Sequence, residues 1–423
     1  MAYTHDMYLS ILKEELVPAL GCTEPIAIAY ATAKARDILG CFPDKVVVRC
    51  SGNIIKNAKS VVVPNTGHLT GITASSLTGL VAGDSTKGLE VIESVSKEAL
   101  AKVNELLKTD LCEVQLIEND ANLHLIVEVF AKDKQALVEI IHTHLNICRI
   151  EKDNEIILNH TFDKDDFNTV LIDRSVLTIK DIIDFANTVD IEPVKELLEK
   201  QVTCNFEIAK EGLDDEYGVN VGRMILECYP NDVYAKMKAY ASAGSDARMS
   251  GCSLPVVTTS GSGNQGMTAS IPIIVYAKEK NLSEEQMYRG LVVANLITIH
   301  QKTGIGRLSA YCGAVSAACG SISAITYLEG GTLCQIEKTI INTLANISGI
   351  VCDGAKASCA AKIASSLDAA IMGHHLAMRD IAFKENCGIV KPCIEETIQA
   401  VGRLGREGMR QTDIEVLNIM LEK

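Results

Sequence analysis

The chain has 423 residues and is 47% hydrophobic, enough to bury a sizeable core and long enough for two or three domains. Its 40 basic against 54 acidic side chains give a formal net charge of −14, and no run of Lys or Arg could track a phosphate backbone, so nucleic acid is not an expected partner. Residues 1–18 mix His5, Asp6, Lys13, Glu14 and Glu15 into the apolar positions and lack the basic start and unbroken apolar stretch of a signal peptide, so the expected location is the cytoplasm. A reducing compartment keeps the 15 cysteines as free thiols rather than a disulfide framework.

The first 40 residues read as two helices. Apolar periodicity runs through Tyr8, Ile11, Leu12 and Leu20, breaks at Gly21 and resumes over 25–39. At the break, Gly21-Cys22-Thr23-Glu24-Pro25 sets a thiol just before a Thr suited to cap a helix and a Pro suited to its first turn. A thiol there should have a depressed pKa and be reactive; the plainer reading is a cysteine that only lies in a turn.

From about 44 to 159 the pattern becomes β-rich. Strands are expected at 46–50, 60–63, 112–116, 123–130, 137–144 and 147–157, the last turning at Lys152-Asp153-Asn154, with a helix over 89–107 between them. Asn65-Thr66-Gly67-His68 follows one strand and is either a small-anion site or a plain turn; Ser51-Gly52-Asn53 is a weaker version of the same signal.

After a polar connection at 163–166 the remainder reads as helical, with Gly-rich breaks at Gly244, 261–266, 304–306, 349–354 and Gly388. The expected fold class is α+β: a mainly helical catalytic domain with a smaller α/β domain containing a mostly antiparallel sheet. Residues 1–42 are assigned to helices packing on the helical domain, 43–185 to the α/β domain and 186–423 to the helical catalytic domain. The stretch 308–328 carries no charge over 21 residues, a membrane-spanning length. Its Ala, Ser and Gly content points instead to a buried central helix that neighbours approach closely, so no membrane partner is expected.

Several segments can carry chemistry. Thr258-Thr259-Ser260-Gly261-Ser262-Gly263-Asn264-Gln265-Gly266 leads into an apolar helix, so its N–H groups and hydroxyls suit a carboxylate. Cys312 follows the 304–306 break at a helix start, where dipole and loop access favour a thiolate; Cys319, seven residues on, shares its face and competes for the role. In the segment 349–359, Cys352 and Cys359 would stand about 10 Å apart along one unbroken helix, but Gly354 permits a loop that brings them together. Their spacing is that of neither a zinc ribbon nor a bacterial ferredoxin, and the segment taken alone is equally a cluster site or two core thiols. Cys41, Cys50, Cys112, Cys148, Cys204, Cys228 and Cys334 sit among apolar or strand-like neighbours and read as core.

Taken together, Gly-Cys-Thr-Glu-Pro at 21–25, Gly-Ser-Gly-Asn-Gln-Gly at 261–266, the segment around Cys312, and Cys-Asp-Gly-Ala-Lys at 352–356 with Cys359 beyond resemble the L-cysteine desulfidases. That family is related to the α chain of iron-sulfur L-serine dehydratase. The resemblance implies an oxygen-labile 4Fe-4S cluster, one per subunit, with Cys312, Cys352 and Cys359 as ligands and one iron open to substrate. Cys22 is the remaining family cysteine, acting as base or as a fourth ligand. The implied reaction takes L-cysteine to sulfide, ammonia and pyruvate. Ser262, Gly263, Asn264, Gln265, Asn65, Thr66 and His68 are the candidate substrate-binding residues, the partner is a small amino acid, and a homo-oligomer is compatible with the chain.

Three other readings stand beside it. L-serine dehydration would use the same open iron but needs a protonated hydroxide leaving group. A pyridoxal phosphate enzyme would share a loop like 262–266, yet Lys236 and Lys238 lack the Ser-x-Lys context of a Schiff-base lysine. A cysteine-metal sensor would need no anion-binding loops.

Overall fold

The computed structural model describes residues 2–118, 121–162 and 172–422; the connection expected at 163–166 lies outside the described residues. The chain opens with α1 (Ala2–Glu15), β1 (Pro18–Leu20) and α2 (Thr23–Leu39). Next come β2 (Lys45–Ser51), α3 (Gly52–Ala58), α4 (Gly71–Ala82), α5 (Lys97–Leu106), and strands β3 (Cys112–Ile117), β4 (His124–Ala131), β5 (Lys134–Ile141), β6 (Ile147–Lys152) and β7 (Glu155–Asn159). The helical part runs through α6 (Ile179–Thr188), α7 (Glu192–Asp214), α8 (Val221–Cys228), α9 (Val233–Met249), β8 (Pro255–Val257), α10 (Gly263–Lys280), α11 (Glu284–Ile305) and α12 (Gly313–Leu328). It ends with α13 (Leu333–Asn346), α14 (Cys359–Ala377), α15 (Ile394–Arg403) and α16 (Arg410–Leu421). The fold class is α+β.

The larger sheet has the order β3-β2-β4-β5-β6-β7. β2 and β3 pair in parallel, and every other ladder is antiparallel. Along β2, β4 and β5, Val46, Val48, Leu125, Val127, Val129, Val138 and Ile140 point to one face and are fully buried. The covering element is α2, whose Ala27, Ile28, Ala31, Ala35 and Leu39 join that core. Helix α1 instead sends Tyr8, Ile11 and Leu12 into the core of the helical part, beside Ile182 and Phe185 of α6. The two N-terminal helices, grouped together by the sequence, therefore belong to different cores.

Local pattern failed where the partner is remote. Leu20 continues the spacing of α1 but lies in β1, because Pro18 cannot extend a helix and the backbone pairs with β8, as Pro18↔Val257 and Leu20↔Pro255. The expected strand at 60–63 reduces to one bridge, Val62↔Thr70. Only α5 and a short turn at Gly88–Glu90 remain of the helix expected over 89–107. Helices α3 and α4 were not expected; the Ser- and Thr-rich α4 is held by packing, with Gly79 against the backbone of Ala29 in α2. Gly244 is no break but lies inside α9, close to Met267 and Ala209.

At the centre of the helical part stands α12, buried continuously from Ala314 to Thr326 and packed by α10, α11, α13 and α14. Among the described residues no helix is long and apolar enough to cross a membrane. The small residues of α12 do what their composition implied: the missing side chain of Gly320 is the space taken by the Thr298 hydroxyl and the Ala294 carbonyl of α11. Gly320→Leu should therefore force the α11–α12 pair apart and cost on the order of 1–3 kcal/mol or more, read as a lower midpoint in urea denaturation with little change in slope.

Candidate active site

Two chain segments 40 residues apart form the floor of the site. Tyr311 and Val351 make an isolated antiparallel bridge. The Cys312 N–H donates to the Ile350 carbonyl at 2.9 Å, and the Cys352 N–H to the Ala310 carbonyl at 2.7 Å. These bonds set Cys312 and Cys352 side by side, close enough for their thiols to hydrogen-bond. Cys312 is the N-cap residue of α12. Beyond Cys352 the chain turns at Gly354, whose φ of 98° lies in the left-handed region and whose missing side chain leaves room for the Lys56 carbonyl. The turn delivers Cys359 as the first residue of α14.

Cys22 faces them from the N-cap of α2. All four thiols line one cavity. Cys22 is buried, whereas Cys312, Cys352 and Cys359 are partly exposed. Helix α10 also begins at this cavity, through Ser262, Asn264 and Gln265. Four helix N-termini thus converge, each with its partial positive charge directed inward.

The electrostatics separate the thiols. A hydrogen bond from Cys312, together with Lys56, the Gly354 N–H and Lys362, holds Cys352 well below the usual thiol range despite burial. Its partner Cys312 is raised by that same bond and by burial. Burial likewise raises Cys359. Cys22 departs from expectation: burial, then the charge of Glu24, push its thiol well above the ordinary value, and these outweigh Arg248. Its Sγ donates to Glu24 Oε2 at 3.0 Å.

Glu24 is itself buried, and burial alone would raise it. The ion pair to His144 at 3.5 Å, the bond from Cys22 and its own backbone hold it at about 2. Thr23 Oγ1 also donates to Oε2, and Asn57 Nδ2 to Oε1. Thr23 was expected to cap α2, but Cys22 occupies that position and the Thr23 hydroxyl reaches Glu24 and the Gly261 carbonyl instead.

The 258–266 segment divides into capping and lining roles. Ser262 Oγ accepts from the Gln265 N–H and caps α10. Asn264 Oδ1 accepts from Arg248 Nη1 at 3.1 Å. Gly261, Ser262, Asn264 and Gln265 line the cavity. Asn65, Thr66 and His68 do not. Asn65 Nδ2 donates to the carbonyls of Ile92 and Glu93, Thr66 Oγ1 donates to Val63, and His68 is exposed at positive φ. That loop is the plain turn; Pro64, just before it, packs on Gly21. Cys319, the rival of Cys312, is fully buried about two turns further along α12, where desolvation raises it to about 12. Of the thiols read as core, Cys41, Cys228 and Cys334 are exposed.

Two buried cations are among the lining residues that were missed. Arg248 closes α9 and is 2% exposed; its Nε donates to the Gly21 carbonyl at 2.9 Å. Lys302, in α11, is 4% exposed, and burial lowers its ammonium to about 8 against the opposing pull of Cys352 and Cys312. The available signal was a lone cation in a long uncharged run, 290–303, that is otherwise core.

The donor set fits an iron-sulfur cluster better than a single ion. Among the described residues no three His, Cys, Asp or Glu side chains converge as ligands of one metal would. A cubane instead spreads its thiolates around its corners, and three partly exposed thiols from separate segments of one cavity, one of them held as thiolate, supply that arrangement.

The floor is tied to the end of the chain. Lys56, 2% exposed, pairs with Asp413 of α16, and the other oxygen of Asp413 accepts from the Ala310 N–H at 2.9 Å. No residue of α16 is itself buried. Asp413→Ala should therefore cost about 3 kcal/mol by leaving Lys56 without its anion, with faster amide exchange along α16; replacing both partners by Leu should recover most of the loss.

Known proteins resemble this chain over nearly its whole length. The chain is 53% identical over 413 residues to a UPF0597 protein of Lachnoclostridium phytofermentans, covering 98% of this chain and 99% of the relative. It is 52% identical over 419 residues to one of Desulfitobacterium hafniense, covering 99% and 97%, and 48% identical over 423 residues to one of Treponema denticola, covering 99% and 98%. The family described as serine dehydratase alpha chain matches residues 86–418, a stretch that holds the 261–266 loop, Cys312, Cys352 and Cys359. This chain belongs to the serine dehydratase alpha chain family.

Proposed function

We propose that the protein is an iron-sulfur lyase that eliminates sulfide from L-cysteine to give hydrogen sulfide, ammonia and pyruvate. The observation that carries the reading is the gathering of Cys312, Cys352 and Cys359 on one cavity opposite Cys22, in a chain of a dehydratase family. Cys312, Cys352 and Cys359 are the residues that would hold a 4Fe-4S cluster, which when bound supplies an open, Lewis-acidic iron with affinity for a thiolate.

The chain's own side chains account for the rest. The start of α10 reaches the cavity through Ser262, Asn264 and Gln265, and the positive end of its helix dipole favours the substrate carboxylate there. Cys22, Thr23 and Glu24, at the start of α2, are buried, and low local polarity on that side strengthens the contacts made there. Elimination also needs an acceptor for the proton on Cα. The Cys22 thiol already donates to Glu24, whereas Lys302 lines the same cavity and burial lowers it to about 8, which brings the neutral amine that can take a proton within reach near neutral pH. That geometry favours Lys302 over Cys22 as the acceptor, with Cys22 keeping its proton. L-Serine dehydration is the second reading, favoured by the family description; it differs in needing a proton delivered to the departing oxygen.

Anaerobic purification with iron and acid-labile sulfide analysis, followed by parallel assays of sulfide from L-cysteine and pyruvate from L-serine, tests both readings. We expect iron in the wild type and faster turnover of cysteine; iron-free protein, or serine as the faster substrate, overturns the first. Cys352→Ser should lose the iron. Lys302→Met should retain it and lose elimination by 100-fold or more, in line with removal of a general base. Cys22→Ser should retain both iron and a measurable rate, and the reverse pattern would return the proton-accepting role to Cys22.

A further inference from the structure

We infer that Arg248 and Gln265 form a two-ended clamp for the backbone of an α-amino acid, the guanidinium taking the carboxylate and the Gln265 amide oxygen accepting from the ammonium. The inference rests on the reading that this cavity is a substrate site, and it adds which side chains set the substrate class.

Arg248 is a buried cation without an anion. Its Nε and Nη1 donate to neutral acceptors, the Gly21 carbonyl and Asn264 Oδ1. Among the described residues no carboxylate pairs with it, and the side chain is 2% exposed on the cavity wall. Burying a charge in this way is costly unless a counter-ion completes the site. The planar guanidinium is held from both sides, by the Cys22 turn and by the α10 loop, so its remaining N–H groups have a fixed direction, which suits the two oxygens of a carboxylate. Gly263 is required for this placement, because a side chain there would overlap the guanidinium.

Gln265 supplies the second, independent signal. It is 6% exposed, it lines the cavity, and its Oε1 is buried without a hydrogen-bond partner among the described residues. A buried amide oxygen left unpaired costs about 1–3 kcal/mol, so a donor is missing there. The amide lies against Gly313, next to Cys312, where any other residue would displace it. Glu24 is not the alternative acceptor, because its two oxygens already take bonds from Cys22, Thr23 and Asn57 and face His144. A guanidinium at one point of the cavity and a lone acceptor at another match an amino acid zwitterion and do not match a simple anion.

The test is calorimetric titration of the full-length protein, with and without its iron, using L-alanine, which has both backbone charges and no leaving group, and propionate, which lacks the amine. Wild type should bind L-alanine more tightly than propionate. Arg248→Met should weaken both ligands by about tenfold or more, with Arg248→Lys in between. Gln265→Leu should weaken L-alanine by a similar factor and leave propionate unchanged. Thermal melts accompany each variant; should Arg248→Met fail to fold, the Lys and Leu variants decide the question. Equal loss of both ligands in Gln265→Leu, unchanged L-alanine binding in Arg248→Lys, or no L-alanine binding by wild type overturns the clamp. Tight L-alanine binding without turnover of cysteine or serine would retain the clamp and remove the lyase reading. Turnover of cysteine with a Michaelis constant unchanged by either substitution would do the opposite.

Discussion

The site depends on a single backbone contact, the antiparallel bridge between Tyr311 and Val351. Its two N–H···O=C bonds fix the register in which Cys312 and Cys352 lie beside each other. Alternate residues of an extended strand point to opposite sides, so a slip of one residue would turn one thiol away from the cavity. Everything nearby serves that register. Helix α12 starts at Cys312 and is anchored in the centre of the helical core. On the other segment, the Gly354 turn is seated on the Lys56 carbonyl. Asp413 binds the Ala310 N–H on the strand's outer edge and pairs with Lys56 beneath. A two-residue ladder would be marginal in isolation; here each end is continued by an element that cannot move independently.

Close approach is the second constraint, and it explains why the site is rich in glycine. Gly313 leaves room for the Gln265 amide, Gly263 for the Arg248 guanidinium, Gly261 for Arg307, and Gly266 for the backbone of Val257 and Thr258. The Gly-rich loop before α10 thus does less by presenting N–H groups than by admitting side chains from other elements, since Ser262 already caps the Gln265 N–H. The same use of small residues, at Gly79 on Ala29 and at Gly320 on Ala294, lets α2 meet α4 and α11 meet α12.

These two constraints also decide what could be read from the chain. The four thiols were legible because each is flanked by a local signal, a Gly break or a helix start, and the sheet was legible because β4 alternates buried and less buried residues along its length. Strands β1 and β8 were not, since three residues paired across the chain leave no periodic trace. Arg248 and Lys302 sit inside helices α9 and α11, where spacing identifies a face and not what the face meets. The Asn65-Thr66-Gly67-His68 turn carries the same residue types as an anion loop; only the carbonyls of Ile92 and Glu93, fixed by tertiary structure, occupy Asn65. The depressed pKa expected of Cys22 followed from its helix-start position alone, and burial, then the carboxylate of Glu24 two residues later, reverse it.

Glu24 is the exception in an otherwise electropositive cavity, and the contrast with the whole molecule is instructive. The chain carries a formal −14, yet Arg248 and Lys302 line the cavity, Lys56 and Lys362 act on Cys352 from around it, and four helix N-termini converge there. Surface charge is screened within about 8–10 Å at ordinary ionic strength, whereas buried charge is screened far less. The local field is therefore set by these few groups and not by the acidic exterior. That field adds to the bond from Cys312 in lowering Cys352, whereas at Cys22 burial, and then the charge of Glu24, outweigh the pull of Arg248. Position alone thus divides four chemically identical side chains: the bond between Cys312 and Cys352 lowers the second and raises the first, burial raises Cys359, and burial together with the carboxylate of Glu24 raises Cys22.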